Sequence, residues 1–392
     1  MTLAPTPATW LLVAMTAIGP FSMQVMVPSL PGMGLEFGAS NAAVQLTLTL
    51  FLVGVAFGQL FYGPLSDRFG RRPVLLGGLA IYLVATLAAA SAQSVGWLAV
   101  ARVVQAMGGC AGMVLGRAII RDVYPRDRAA SVLGYVIMAM SCAPMLAPML
   151  GAWLDVRWGW RAGMLACFAL GVLVAMGAWR RLPETLAARM PMAGIGGVAR
   201  AYGGLLAIPL FRALVAINCC ANGVFFAFMG GAPFVVVQGM GRSPQEYAIA
   251  FVGISVLFAA GAFTAGRLSM RLGAMRMIGL ALAITTLGAF TGLALVLLVP
   301  GSLWLFFAPM AVVALGNGMG QPNAIAAAVS VRPTHAGTAS GLIGALQMGF
   351  GAAMTALVGV LEEGSGIGTM AVMAACGLGA NLAFRAARRA PA

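Results

Sequence analysis

The sequence predicts an all-α membrane protein with twelve transmembrane helices arranged as two pseudo-symmetric six-helix bundles. Three observations lead there. Of 392 residues, 61% are hydrophobic and only 8% charged. The apolar residues run in stretches of membrane-spanning length, with arginines gathered in alternate connections. A loop pattern in the first half of the chain returns in the second.

Composition excludes several classes. A water-soluble chain of this size could not keep so much apolar surface off its exterior, so the bilayer is the better solvent. Every basic residue is arginine, and 23 of them stand against 9 acids for a net charge of +14. They lie singly or in short clusters between apolar runs rather than on a basic domain, which argues against nucleic acid as a partner. The cysteines Cys110, Cys142, Cys167, Cys219, Cys220 and Cys376 sit in apolar segments without C-x-x-C spacing. They read as small buried hydrophobes, and neither a disulfide framework, a metal site nor a cofactor is expected. The opening MTLAPTPATW lacks a basic stretch, and no small-residue cleavage site precedes Pro28, so it reads as the start of a retained first helix.

A span needs about 20 apolar residues. That ruler places spans at 8–30, 44–65, 73–93, 97–120, 131–153, 161–179, 213–237, 248–266, 276–298, 303–325, 336–361 and 367–384. The longest polar or broken stretch separates the sixth from the seventh. It divides the chain into residues 1–180, a connecting loop 181–212 and residues 213–392. Arg68, Arg71, Arg72, Arg121, Arg126 and Arg128 share one side with Arg180, Arg181, Arg267, Arg271, Arg276, Arg332 and Arg385, whereas the other side holds Arg157, Arg161 and Arg242. The positive-inside rule then puts both termini and the central loop in the cytoplasm.

GPLSDRFGRRP begins at Gly63, after the second span, and GRLSMRLGAMR begins at Gly266, after the eighth. They share G-x-L-S-x-R-x-G at an offset of 203 residues. Equivalent loops in equivalent places imply two parallel halves related by an axis along the membrane normal.

The stretch from Gly63 to Gly78, GPLSDRFGRRPVLLGG, resembles the signature loop of the major facilitator superfamily. ARVVQAMGGCAGMVLGRAIIRDVYP, from Ala101 to Pro125, resembles the fourth helix of its drug exporters, and APMLAPMLG, from Ala143 to Gly151, the fifth-helix motif of its antiporters. Residues Pro322 to Met348 resemble the tenth-to-eleventh helix region of the bicyclomycin and chloramphenicol resistance subfamily. The resemblance spans nearly the whole chain. It implies a bacterial inner-membrane exporter of the facilitator fold, moving a small amphipathic substrate by alternating access and proton antiport. Catalysis would need convergent acids, bases or metal ligands, and one histidine (His335, in the link before the eleventh helix) with no core carboxylate argues against an enzyme; a monomer is favoured.

The polar residues inside the spans are few and therefore informative. Gln24 lies on helix one, Arg102 and Gln105 on helix four, Asn218 and Asn222 on helix seven, and Asn317 and Gln321 on helix ten. Pairs three or four apart share a helical face. In the resembled fold these four helices line the central cavity, which makes these residues candidate substrate contacts, alongside Phe225, Phe226 and Gln347. Their plainer reading is helix-to-helix hydrogen bonding. Gln45 and Gln59 on helix two, with Gln347 on helix eleven, fit the four-helix pattern less well. The first helix of the resembled family often carries an acid where this chain has Gln24. No other acid is expected in a span interior, since Glu36, Asp155, Glu246, Glu362 and Glu363 fall in outer loops and Asp67, Asp122, Asp127 and Glu184 at cytoplasmic ends. The alternative to proton antiport is thus a facilitator or exporter of a small metabolite without proton coupling.

In the signature loop, Gly63 and Gly70 are expected to permit a tight turn. Asp67 is expected beside the N-terminus of helix eleven, Arg71 against Asp122, and Arg68 and Arg72 at the membrane surface. By resemblance these form a cytoplasmic latch. Pro144 and Pro148, followed by Gly151, predict a kinked fifth helix. Gly108, Gly112 and Gly116, and on helix eleven Gly337, Gly341, Gly344 and Gly351, predict close helix packing.

Overall fold

The structure is a computed structural model that describes residues 7–124, 132, 136, 143–186, 195–332 and 336–390. Arg126, Asp127, Arg128, Cys142 and His335, most of the first part of the expected fifth span, the side chains of Arg121 and Pro144 and the packing at Gly337 lie outside it.

The first half contains α1 (Thr9–Gln24), α2 (Leu30–Phe37), α3 (Asn41–Phe69), α4 (Arg71–Ala90), α5 (Val95–Val123), α6 (Ala143–Trp158) and α7 (Trp160–Arg181). A short helix α8 (Ile195–Leu206) follows. The second half contains α9 (Pro209–Phe234), α10 (Pro244–Leu272), α11 (Ala274–Leu298), α12 (Leu303–Ser330), α13 (Ala336–Leu361) and α14 (Ile367–Arg389). Among the described residues, eleven helical segments are long and apolar enough to cross a membrane, with α1 and α2 counted as one. With α6 in the fifth position, this is consistent with the twelve-helix facilitator fold.

Local chemistry sets the helix ends. Ser40 and Ser94 cap α3 and α5 by accepting from Ala43 and Trp97, while Ser243 and Glu246 form a capping box at α10. Pro209 and Pro244 sit in first turns, where no N–H is needed.

Four expectations are corrected. The first span continues past residue 30 to Phe37, broken by a 3-10 turn at Val27–Ser29. Pro28 has no N–H for the helix ladder, so α1 ends before it. Asp155 lies in the last turn of α6, Glu36 in the last turn of α2 and Glu246 in the first turn of α10, rather than in loops. Gly63 sits inside α3 with open space where a side chain would be, so it makes no turn. The turn belongs to Gly70, at φ 103°, and its repeat Gly273, at φ 81°. Finally, the stretch expected as a connecting loop contains α8, in which Ile195, Val198, Tyr202 and Leu205 recur at helical spacing.

Glycines bring the helices together as their spacing foretold. A side chain at Gly108 would strike the α4 backbone at Tyr82, one at Gly112 the Met15 carbonyl of α1, and one at Gly116 Thr16. Gly344 meets Gln59 of α3, and Gly351 meets Phe226 of α9. Gly151 is pressed against the Val25 carbonyl, which seats α6 on the break in the first span. The halves pack on one another through α3 with α13 and α6 with α10, the two combinations that the internal repeat interchanges.

Candidate functional site

The first half is organised around one buried arginine. Arg102, 2% exposed, reaches from α5 to the end of α1, where Nη1 donates to the Ser22 carbonyl at 2.9 Å and to Gln105 Oε1 at 2.7 Å. Its guanidinium lies 4.1 Å from the centre of the Phe51 ring on α3. Ser22 is in the last turn of α1, where carbonyls lose their helical donors and the helix dipole is negative. Arg102 therefore caps the break in the first span.

The network continues from there. Gln105 Nε2 donates to Thr86 Oγ1 at 2.8 Å, and Thr86 donates to the Tyr82 carbonyl at 2.6 Å. The Tyr82 hydroxyl is 2.5 Å from Ser22 Oγ and 3.2 Å from the Cys167 carbonyl on α7, while Ser22 Oγ is 2.7 Å from the Ile18 carbonyl. Two hydroxyl protons serve these three contacts, so two donor arrangements exist: Ser22 to Tyr82 to Cys167, or Tyr82 to Ser22 to Ile18. These bonds hold Arg102 and Gln105 among α1, α4 and α7, inside the first half, rather than with the amides of helices seven and ten.

Gln24 is different. It is fully buried, and neither amide atom has a hydrogen-bond partner. The Thr49 and Tyr247 hydroxyls share that condition. Tyr247 sits at the outer end of α10 in an aromatic cluster with Phe251 and Phe307, and Phe225 and Phe226 of α9 pack against Phe251 and each other. In a low-dielectric interior a group in this state costs about 1–3 kcal/mol, which a ligand with matching donors and acceptors would recover.

The second half holds amides in place of a charge. Asn317 donates to the Ala221 carbonyl at 3.0 Å and has Thr285 Oγ1 at 3.5 Å. Gln347 on α13 donates to Asn218 at 3.4 Å. Asn218, Asn317 and Gln321 line a small void between α9, α11 and α12. Asn222 is half-buried one turn from Asn218 and does not line that void.

Glu362 follows α13 at the outer face, as expected, but it is buried. Its carboxylate accepts from the backbone N–H groups of Gly364, Gly366 and Thr369 and from the Thr369 hydroxyl, at 2.7–2.9 Å.

At the arginine-rich ends of the first half, Arg71 is buried and donates through Nε to Asp122 at 2.9 Å, through Nη1 to Ser66 at 2.6 Å, and to Asp67. The Arg71–Asp122 contact is the one expected. Asp67, whose side chain is 43% exposed, does not reach α13 among the described residues; its bond crosses the Gly70 turn to Arg71 at the start of α4. Glu184, absent from the sequence-based set, receives the Arg71 and Arg72 backbone N–H groups at 2.9 and 3.2 Å and so caps α4. Arg72 donates to the Trp179 carbonyl, and Arg68 lies over Phe69. At the opposite ends the halves are tied: Asn41 and Gln238 exchange hydrogen bonds at 2.6 and 3.0 Å, and Gln45 donates to the Thr355 carbonyl at 3.0 Å.

A family model described as Major Facilitator Superfamily matches residues 12–356. The chain belongs to that superfamily. It is 30% identical over 376 residues to the bicyclomycin resistance protein homolog of Haemophilus influenzae, covering 94% of this chain and 93% of the relative. It is 32% identical over 326 residues to the chloramphenicol resistance protein of Pseudomonas aeruginosa, covering 80% and 72%. The fold matches a bacterial homolog of the human lysosomal transporter Spinster, solved in an inward-facing, unoccupied conformation, with a TM-score of 0.76 at 18% identity over 97% of this chain and 96% of that one. The resemblance read from the motifs therefore holds, and the chain is a multi-pass inner-membrane transporter rather than an enzyme.

Within this facilitator frame, sequence reasoning missed Ser22, Tyr82 and Thr86 around Arg102, Tyr247 beside the aromatic cluster, and the cross-half contacts of Asn41, Gln238 and Thr355. Tyr82 had a readable signal: it lies four residues before Thr86, so both share the α4 face that meets α5. Asn41 and Gln238 carried none, because their pairing joins residues 197 apart.

Proposed function

We propose that this facilitator exports small amphipathic, drug-like molecules by alternating access, with proton antiport as its coupling. Its body is a monomer of two bundles, residues 1–180 and 213–392 with 181–212 between them, and the arginine-rich face with both termini is cytoplasmic. The observation that carries the reading is the asymmetry of the ties between halves. Among the described residues, the outer ends are linked by Asn41, Gln238, Gln45 and Thr355, while Arg71, Asp67, Asp122 and Glu184 bind one another within the first half. That arrangement corresponds to a cavity open toward the cytoplasm, and exchanging the two sets of contacts would open it outward. The names of the relatives, bicyclomycin and chloramphenicol resistance proteins, indicate the substrate class.

Cells lacking their own exporters and expressing the chain should accumulate less chloramphenicol, and the difference should vanish with the Asp67→Asn/Arg71→Gln pair. Unchanged accumulation across a panel of amphipathic drugs would refute export.

One observation favours a second reading, uncoupled transport. Among the described residues no carboxylate lies in mid-span, and the one buried carboxylate, Glu362, is saturated by four donors. Gln24 is an amide and cannot exchange protons. Vesicles with an imposed pH gradient separate the two readings. Antiport requires acceleration by the gradient, and Gln24→Asp should strengthen that response; indifference to the gradient selects the uncoupled exporter.

A further inference from the structure

The second half has an electrostatic peculiarity at its arginine-rich end. Beyond Glu184, the only acidic side chains are Glu246, Glu362 and Glu363, and all three lie at the opposite ends of the helices. Arg212, Arg267, Arg271, Arg276, Arg332 and Arg389 thus share a rim to which the described residues of the second half contribute no acidic side chain. The first half differs, since Asp67, Asp122 and Glu184 engage Arg71 and the start of α4 there. Orientation in the membrane does not require this difference, because acids contribute little to the positive-inside rule.

A cleft opens on that rim between the start of α9 and the end of α14. It is lined by Pro209, Arg212, Ala213 and Ala216 of α9 and by Ala383, Ala386, Arg389 and Ala390 at the end of α14. Neither arginine takes part in an ion pair among the described residues. Arg212 lies one turn inside α9 and Arg389 is the last residue of α14, so both stand at the depth where a span meets the headgroup layer. Ala386 and Arg389 continue a stripe that includes Leu378 and Leu382, which are 50% and 64% exposed. Large exposed leucines on a spanning helix face acyl chains. The cleft therefore joins an apolar, lipid-facing surface to two uncompensated guanidinium groups.

We propose that this cleft binds an anionic phospholipid, its phosphate held by Arg212 and Arg389 and its glycerol and upper acyl chain lying along the alanine walls. The alanines leave room that larger side chains would fill, and guanidinium geometry suits a phosphate. A basic pocket between spans at the inner leaflet recognises anionic headgroups on these terms. The occupant would clamp the first helix of the second half to the last. The inference does not depend on which drug is exported.

The test uses the purified full chain in neutral detergent, titrated with dioleoyl phosphatidylglycerol, dioleoyl phosphatidylcholine or soluble glycerol phosphate, and read by native mass spectrometry and by the thermal midpoint. Phosphatidylglycerol should bind and raise the midpoint, while the other two should not. Arg212→Gln/Arg389→Gln should weaken its binding roughly thirtyfold, from about tenfold per two-thirds of that charge loss at a headgroup surface. The control pair Arg271→Gln/Arg276→Gln removes the same charge from the same rim and should leave binding within about twofold. Ala216→Leu, which fills the cleft without touching charge, should also weaken binding. Equal losses in both arginine pairs would overturn the proposal in favour of a diffuse field, as would equal binding of phosphatidylcholine. Binding of glycerol phosphate as tight as that of the lipid would reassign the site to a soluble phosphate. Each variant is compared at its own lipid-free midpoint, so a loss of folding is not counted as a loss of binding.

Discussion

The two halves repeat one fold but solve the problem of buried polarity differently. In the first, a single arginine is tied to a broken helix end, an amide and an aromatic face, and its neighbours extend the bonding through Thr86, Tyr82 and Ser22. In the second, Asn218, Asn317 and Gln347 make longer contacts of 3.0–3.5 Å around a void. A charged donor fixes geometry more strongly than neutral amides do. The difference leads to the expectation that the first half is the stiffer wall and the second the more adaptable one.

The largest expected effect tests the stiff side. Arg102→Met leaves the Ser22 carbonyl and Gln105 without their donor and should lower stability by about 3–5 kcal/mol, with transport lost. Arg102→Lys should restore part of both, as read from thermal midpoints and export rates. A small loss would break the comparison at once.

Next comes packing. Gly112→Val drives a side chain into the Met15 carbonyl and should cost about 1–3 kcal/mol, whereas Gly253→Ala, which meets open space on α10, should be neutral or stabilise by about 0.5–1 kcal/mol. Denaturation in detergent measures both.

Gln24→Leu removes two unpartnered polar atoms. Stability should rise by about 1 kcal/mol while export falls several-fold, and a parallel fall in both would assign Gln24 a structural role instead. The smallest change in stability is expected on the adaptable side. Asn317→Leu should shift the midpoint by less than about 1 kcal/mol yet reorder the drugs exported. A reordering as large in Thr86→Val, on the stiff side, would erase the distinction between the halves.

Much of this was legible in the residues. Run lengths located the spans, the repeated loop located the pseudo-symmetry, and Arg102 announced itself as a charge that needed company. The glycine spacings foretold close packing along α5, though not which helices it would meet. What stayed hidden depended on direction and on partners distant in sequence. Helical spacing put Arg102 and Gln105 on one face but not whether that face met the cavity or α4 and α7. Gly63 and Gly70 looked alike in the signature loop, yet only Gly70 has a left-handed backbone. Glu362 read as a loop acid because three of its four donors are backbone N–H groups, which composition never displays.

That same carboxylate has a mechanical consequence. By gripping the start of α14 from the end of α13, Glu362 welds the two final spans into one lever arm at their outer tips. Gly239, at the end of the π turn after α9, lies flush against the Gly364 backbone in the gripped loop and braces it from the side. An outward swing of the second half is therefore expected to carry its last two spans as a single piece.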